Sequence, residues 1–299
     1  MKLKDNFHIF AIITIIFWSS GFVFTRLALR YFSPMSLGFL RYLFASVSLI
    51  IFALFVKLKI PNKNDIKWFI LAGFFGFFFY MVTFNIGSVS VSAAAGSLII
   101  SATPVITAVM ARILLKEKLS IIQYIAIIVQ FIGVCVITLM AGIFSINIGI
   151  IWLILASISL SIYKLLQKKL TKTYSAKQVS IFSIWFGTIL LLIFMPKSVP
   201  EIINAPFMQI IYLIILGVFA SAVGFLLWAY AFSKARNVSS VTNYMFLTPF
   251  LAALLGLILA NEVPDLATII GGIIILTGMF IYNFYDKIII REKEQSKEE

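Results

Sequence analysis

The sequence predicts an all-α integral membrane protein with about ten transmembrane helices, arranged as two inverted five-helix repeats. Of its 299 residues, 62% are hydrophobic and only 12% are charged. Soluble proteins contain roughly 45–50% apolar and about 25% charged residues, because water must wet their surface. The apolar residues also form runs of roughly 20, the length of a helix that crosses hydrocarbon. Finally, the same short motifs recur in both halves of the chain at one constant offset.

The apolar runs divide the chain into spans that are joined by short links. We predict ten spans: 7–29, 34–56, 67–86, 93–115, 123–140, 148–166, 178–195, 207–232, 238–260 and 266–285. The longest links, 57–66 and 197–205, leave no room for a soluble domain. We therefore expect a first repeat over residues 1–145, a second, inverted repeat over 146–287 and a charged cytoplasmic tail over 288–299.

The lysines and arginines predict the orientation of the bundle. If the N-terminus is cytoplasmic, 20 of the 24 cations fall on the cytoplasmic side, and only Arg26, Arg30 and Lys197 fall outside, with Arg41 inside a span. This bias follows the positive-inside rule and predicts a multi-pass plasma-membrane protein with both termini in the cytoplasm. Because the cations lie in short tracts between apolar runs, the net charge of +13 does not indicate a nucleic-acid-binding face.

Three pairs of residues point to an internal duplication. The members of each pair are 145 residues apart: Thr103 and Thr248, Pro104 and Pro249, Glu117 and Glu262. Because each half holds five spans, an odd number, the second half must enter the membrane upside down relative to the first. Inverted repeats of this kind are an architecture of secondary transporters.

The paired prolines predict bends at equivalent places in the two halves. A proline inside a helix removes a backbone hydrogen bond and favours a kink, at a cost of about 3 kcal/mol in a soluble helix. We expect Pro104 and Pro249 to bend their helices beside a central cavity and to act in gating, since freed carbonyls can be satisfied there. The alternative is that each proline fits only a local bend in the packing.

Polar and aromatic side chains within the spans are the candidates for substrate binding. They are Trp18, Arg41, Tyr80, Ser97, Ser101, Tyr163, Trp228, Tyr230 and Asn243. An arginine at the centre of a membrane helix costs about 2.5–3.5 kcal/mol, so Arg41 either faces a cavity, where it could bind a carboxylate, or extends to the interface. Buried tyrosine and tryptophan need a partner for their polar hydrogen, which a water-filled cavity would supply. The serines and Asn243 are open to a second interpretation, in which they hold helices together.

Other classes of function lack support in the sequence. The acidic residues lie in links, at span ends or in the tail, so a proton relay of buried carboxylates has no candidates. The sequence contains no phosphate-binding loop, metal-spaced cluster or catalytic set of nucleophile and base. We therefore expect neither an enzyme nor an ATP-driven pump, and no cofactor or metal. The single cysteine, Cys135, excludes an intramolecular disulfide.

The chain resembles the drug/metabolite transporter superfamily, specifically its EamA-type ten-helix permeases. The matching segments are FWSSGF at 17–22, Pro34 with Arg41 in SPMSLGFLRYLF, Lys116-Glu117-Lys118, GFLLWAY at 224–230, Pro249, Glu262, Gly271 and Gly278. Their order and spacing carry the resemblance. The chain departs from the family pattern at Leu160, where the family often has a tryptophan.

The resemblance implies a secondary carrier of small metabolites, commonly an exporter of amino acids or related compounds, that works by alternating access. Its expected partners are a small-molecule substrate and the lipid bilayer, with no nucleic acid. An aromatic lining with Arg41 favours an amino-acid-like solute that carries a carboxylate. An organic cation is the nearest rival, because aromatic faces attract cations by about 0.5–2 kcal/mol. A scaffold that transports nothing also stays open, and a channel is weaker because no filter sequence is visible.

Overall fold

The computed structural model describes residues 7–56, 58–115, 120–140, 147–234 and 243–295, and throughout these residues the regular structure is helical. They form ten apolar helices: α1 (Phe7–Ala28), α2 (Pro34–Phe55), α3 (Lys63–Ser90), α4 (Ala93–Ser101 and Thr103–Leu115), α5 (Ile121–Met140), α6 (Ile148–Leu170), α7 (Ala176–Ile203), α8 (Phe207–Ile214, Ile215–Val223 and Gly224–Lys234), α9 (Asn243–Leu247 and Thr248–Ala260) and α10 (Leu266–Gln295). Six of them are long and apolar enough to cross a membrane: α1, α2, α3, α6, α7 and α8. The chain is a multi-pass membrane protein.

Short polar side chains start several of these helices. The hydroxyl of Ser92 accepts a hydrogen bond from the N–H of Ala95 at the start of α4, and Asn147 caps α6 in a similar way. Ser175 and Gln178 form a complete capping box at the start of α7. Because the first N–H groups of a helix have no partner within the helix, such caps fix where each span begins.

The helices pack with a two-fold pattern. Helix α1 contacts α8 and α9, while α6 contacts α3 and α4; α2 contacts α7 and α8, while α7 contacts α2 and α3. If α1 to α5 are exchanged with α6 to α10, helix by helix, the same pairs of helices are in contact. The predicted architecture of two inverted halves therefore describes the fold.

Helices α5 and α10 show the same symmetry at the level of single residues. A Cβ atom built on Gly133 would lie 2.7 Å from Ile275 Cγ1 and 2.8 Å from the carbonyl oxygen of Gly271. A Cβ atom on Gly278 would lie 2.6 Å from Gln130 Cγ and 2.8 Å from the carbonyl oxygen of Ala126. Gly133 and Gly278, Gln130 and Ile275, and Ala126 and Gly271 are each 145 residues apart. This is the same offset that relates the prolines. The offset therefore holds in space as well as along the chain.

Two helices contain π-helical segments that the sequence did not predict. They are Phe74–Phe79 in α3 and Ile215–Val223 in α8, which are equivalent helices of the two halves. A π segment widens one turn and frees backbone groups, and such segments are frequent at functional sites. Both segments take part in bonds between the halves, since the hydroxyl of Ser159 in α6 donates to the carbonyl of Phe75 (2.6 Å) and Arg41 in α2 donates to Ser221.

The predicted link at 197–205 is wrong, because α7 continues as a helix to Ile203. A 3₁₀ turn at Leu192–Phe194 restarts the helix at Met195, so Pro196 occupies an early position that needs no N–H partner. The predicted link at 57–66 is also shorter than expected, since α3 begins at Lys63.

The ends of the helices define two faces of the bundle. We call the first the Glu262 face, where α1, α3, α7 and α9 end, and the second the His8 face, where α1 begins. The described cations at the helix ends of the His8 face outnumber those of the Glu262 face. The former are Lys59, Lys63, Lys67, Lys168, Lys169, Lys172, Lys177 and Lys234, and the latter are Arg26, Arg30 and Lys197.

Candidate functional site

Arg41 lies inside the bundle, where α2 meets the π segment of α8. Its side chain is buried, and its Nε donates a hydrogen bond of 2.9 Å to the hydroxyl of Ser221, which is fully buried. The guanidinium carbon lies 5.9 Å from the centroid of the Tyr42 ring. Within the described residues, the only ion pair is the one between Arg26 and Glu262, so no described carboxylate neutralises Arg41.

An aromatic cluster lies beside Arg41 and joins the two halves. The ring of Trp18 contacts Trp228 and Phe225, with centroids 4.9 and 5.6 Å apart. Phe225 in turn lies 5.5 Å from Phe77, which lies 5.1 Å from Tyr163. Such edge-to-face and tilted contacts are the favoured geometries of aromatic pairs. The cluster therefore draws on α1 and α3 from the first half and on α6 and α8 from the second.

Two tyrosines lie near Arg41, and one of them packs against this cluster. The Tyr42 ring packs edge-on against Phe77 at 5.3 Å, and Tyr80 lies within electrostatic reach of the Arg41 guanidinium. The hydroxyl of Tyr163 is buried near that of Ser180 but does not reach the geometry of a hydrogen bond. The centre of the bundle thus combines a cation, tyrosine hydroxyls and aromatic faces.

Five of the nine predicted binding residues therefore lie around the centre formed by Arg41 and the aromatic cluster. Three of the others lie elsewhere, and the side chain of the fourth is outside the described residues. The five are Trp18, Arg41, Tyr80, Tyr163 and Trp228. Tyr230 packs against Phe10 at 4.6 Å, towards the His8 face. Ser97 is fully buried and donates to the carbonyl of Ala94 in its own helix, and Ser101 is buried at the end of the first segment of α4. The side chain of Asn243 lies outside the described residues.

Four residues of this centre were not predicted from the sequence: Tyr42, Phe77, Ser221 and Phe225. Phe225 stands three places before Trp228, the helical spacing of one face, so this signal was present in GFLLWAY. Phe77 is one of 30 phenylalanines and had no distinguishing neighbour. Ser221 lies in an apolar run, where a serine is usually interpreted as a packing residue.

Both predicted hinge prolines follow an interruption of their helix. The α-helix of α4 is interrupted at Ala102, before Pro104, and α9 changes from a 3₁₀ turn to an α-helix at Thr248, before Pro249. The hydroxyl of Thr103 donates to the carbonyl of Ile100. In a regular α-helix this carbonyl would accept from the N–H of residue 104, which a proline lacks. The backbone geometry is thus compatible with a bend at each site, and the role in gating stays a prediction.

The serines of α1 and α6 contact these two positions in the same way. Ser161 donates to the carbonyl of Thr103 (3.2 Å), and Ser19 donates to the carbonyl of Thr248 (3.3 Å). Each bond joins one half of the protein to the other. The interrupted helices are therefore held by equivalent bonds on both sides of the bundle.

A polar network closes around Glu262. Its Oε1 accepts a hydrogen bond of 2.9 Å from Arg26 Nε, and its Oε2 accepts one of 2.8 Å from the N–H of Ala93 at the start of α4. Arg26 also donates through Nη1 to the carbonyls of Ser88 and Val89 at the end of α3. The network links α9 of the second half to α1, α3 and α4 of the first, and with Leu29 and Arg30 it lines a cleft of about 190 Å³. Glu117, the counterpart of Glu262, lies outside the described residues.

On each face, an acidic residue forms a hydrogen bond with the residue or link just before a helix. The helix is α2 on the Glu262 face and α7 on the His8 face. On the Glu262 face, Glu201 accepts from the N–H (2.9 Å) and the hydroxyl (2.8 Å) of Ser33. On the His8 face, the Tyr174 hydroxyl donates to Asp65 at 2.7 Å and accepts from the N–H of Asn62 at 2.9 Å. Burial raises the pKa of the Tyr174 hydroxyl, and Asp65 acts in the same direction. Both contacts join the two halves of the chain.

Comparison with known proteins agrees with this architecture. The model of the EamA-like transporter family matches the chain twice, over residues 6–139 and 147–284. The chain belongs to the EamA-like transporter family. It is a membrane transporter and not an enzyme, and among its described residues no group of three or more His, Cys, Asp or Glu could hold a metal ion.

Several named relatives of this EamA-like transporter are similar over most of its length. A protein of Bacillus subtilis named "Uncharacterized transporter YdfC" is 32% identical, with 91% of this chain and 90% of the relative covered. A "Probable terminal-alkyne amino-acid exporter" of Streptantibioticus cattleyicolor is 29% identical, with 91% of each covered. An "S-adenosylmethionine uptake transporter" of Rickettsia prowazekii is 24% identical, with 87% and 86% covered.

A solved crystal structure shares the fold. It superposes with a TM-score of 0.64 at 15% identity and covers 94% of this chain and 97% of its own. At this identity the likeness concerns the fold alone.

Proposed function

We propose that this protein is a secondary transporter that exports or exchanges small amino-acid-like metabolites by alternating access. One observation carries the proposal: Arg41 is a buried cation without a described carboxylate partner, beside an aromatic cluster that both halves build. A buried charge is costly unless it is paired. A substrate carboxylate would supply the missing charge, while the aromatic rings would contact an apolar body.

The names of the relatives support this class of substrate. The solutes in two of those names, a terminal-alkyne amino acid and S-adenosylmethionine, both carry an amino-acid group. The names describe an exporter in one case and an uptake system in the other, and the first of these relatives is the more similar to this chain. We propose export or exchange on that ground.

The orientation in the membrane is part of the proposal. The cations concentrated on the His8 face support its placement in the cytoplasm, by the positive-inside rule. We accordingly propose that both termini lie in the cytoplasm and that Glu262 lies on the outer side of the plasma membrane. The units that move against each other are then residues 1–145 and 146–287, with the tail of 288–299 inside.

The aromatic cluster favours a second candidate, efflux of organic cations or cationic drugs. Trp18, Trp228 and Phe225 present ring faces within one cluster, and such faces attract cations. Arg41 opposes this interpretation because it would repel a cation at short range. A direct comparison of substrates with and without a carboxylate distinguishes the two candidates.

The test is counterflow in proteoliposomes with a panel of the common amino acids, each paired with its decarboxylated amine. A hydrogen bond to a charged group contributes about 1.5–3 kcal/mol, so Arg41→Ala should weaken amino-acid transport about 10- to 100-fold and leave amines less affected. Arg41→Lys should restore part of the affinity, since it keeps the charge but not the paired geometry. Lys197→Gln, which removes an exposed cation far from the cluster, is the control. A preference for amines, or indifference to Arg41→Ala, would refute the proposal.

A further inference from the structure

We infer that Ser221 is a positioning residue that sets the angle at which Arg41 meets a carboxylate. The inference rests on the proposed function. Ser221 is fully buried in the π segment of α8, and its hydroxyl is the hydrogen-bond acceptor found for Arg41 among the described residues.

The choice of nitrogen atom matters for recognition. A guanidinium can hold a carboxylate in two paired ways, through Nε with one Nη or through both Nη groups. In this structure Nε already donates to Ser221, which leaves the two Nη groups of Arg41 for a ligand. Nη2 points towards α1, 3.9 Å from the place that a Cβ atom of Gly21 would occupy. The serine therefore selects the end-on mode, in which both Nη groups meet the ligand.

The π segment explains how a serine reaches this position. At Gly217, one turn before Ser221, the backbone of α8 lies against α2, and a Cβ atom there would lie 2.7 Å from the carbonyl oxygen of Arg41. The widened turn that follows carries Ser221 to the guanidinium of the same residue. Helix α8 thus contacts both the backbone and the side chain of Arg41.

This arrangement predicts an effect on selectivity that loss of packing alone would not produce. Ser221→Ala frees Nε, so the guanidinium can rotate and offer other pairs of N–H groups. The preference for an amino acid over its amine should fall at least about fivefold, through a higher KM with a smaller change in kcat, because the guanidinium then meets the carboxylate in more than one orientation. Ser221→Thr keeps the hydroxyl and should retain the preference.

A double-mutant cycle with Arg41→Lys tests the mechanism. Lysine has no Nε–H fork to orient, so adding Ser221→Ala to Arg41→Lys should change the preference by less than about twofold. Ser198→Ala is the matched control, since Ser198 is equally buried but donates only to the carbonyl of Phe194 in its own helix. Counterflow with the same panel of amino acids and amines provides the measurement.

The outcomes separate the two proposals. If the preference depends on Arg41 but is unchanged in Ser221→Ala, the positioning role is wrong and the proposed function stands. If Ser221→Ala lowers the preference equally in the parent protein and in the Arg41→Lys variant, the effect is structural and the positioning role is again wrong. If the protein shows no preference for carboxylates, both proposals fail.

Discussion

Weakening the network at Glu262 should open the face on which it lies. This residue ties the end of α9 to α1 and to the start of α4 through Arg26 and Ala93. Because α9 belongs to one half and the other two helices to the other, the halves cannot separate at this face while both bonds exist. We expect Glu262→Ala to shift the protein towards a state that is open there, and Glu262→Gln to shift it less.

The size of the expected shift towards the open state depends on how exposed the side chains of Arg26 and Glu262 are. The side chains of Arg26 and Glu262 are 28% and 17% exposed, so their ion pair is partly screened by solvent and contributes about 0–1 kcal/mol. The bond from the N–H of Ala93 resembles a helix cap, which contributes about 0.5–2 kcal/mol. Together they amount to about 0.5–3 kcal/mol, or roughly a 2- to 150-fold change in the open population. In Glu262→Gln the cap bond can persist, so only the smaller part is lost.

The assay is labelling of a buried cysteine reporter by a membrane-impermeant maleimide. Ser97 is fully buried one turn beyond Ala93, and Ser97→Cys in a Cys135→Ser background provides a single reactive site. Labelling of the protein in lipid nanodiscs should be fastest in Glu262→Ala, slower in Glu262→Gln and slowest in the parent protein. Lys197→Gln removes a cation from the same face without an ion pair and should label at the parental rate. Equal rates in all variants would show that the network does not close this face.

The remaining predictions concern the hinges and the opposite face. Replacing Pro104 or Pro249 with alanine should slow counterflow more than it lowers expression, and unchanged turnover in both variants would make them packing residues. Because burial raises the pKa of Tyr174 above its ordinary value of 10.0, the unfolded chain loses this proton first as the pH rises. The free energy of unfolding should therefore fall above about pH 10, and Tyr174→Phe should reduce that fall in thermal unfolding measured from about pH 8 to about pH 12. An identical fall in the variant would show that other groups cause it.

The sequence was sufficient for the architecture because length and polarity determine it. A run of roughly 20 apolar residues has few alternatives to a membrane helix, and the offset of 145 needs only three coincident pairs. The same simplicity explains the error at 197–205. A 3₁₀ turn at Leu192–Phe194 restarts the helix at Met195, and Pro196 is tolerated at the start of this new segment, so the helix continues where the sequence predicted a link.

The candidate site was only partly predictable because it depends on which helix faces lie together. Arg41 and Trp18 could be chosen by type, since polar and amphipathic side chains within a span need a partner. Ser221 could not, because the π segment that presents it to Arg41 adds no distinctive residue to the apolar run of α8. The partnership of Arg26 and Glu262 was equally hidden, since 236 positions separate them and only the order of helices around the bundle brings them together.

The contact between α5 and α10 has a consequence for how such a protein could arise. Each glycine meets residues of the opposite helix that correspond, after a shift of 145, to those that surround the other glycine. A surface that recognises its own rotated copy is called isologous, and it is the surface through which two identical chains form a closed pair. A five-helix ancestor with this surface needs no second sequence to bind, only a second copy inserted in the opposite direction. Joining the two copies in one chain then makes their opposed orientation permanent.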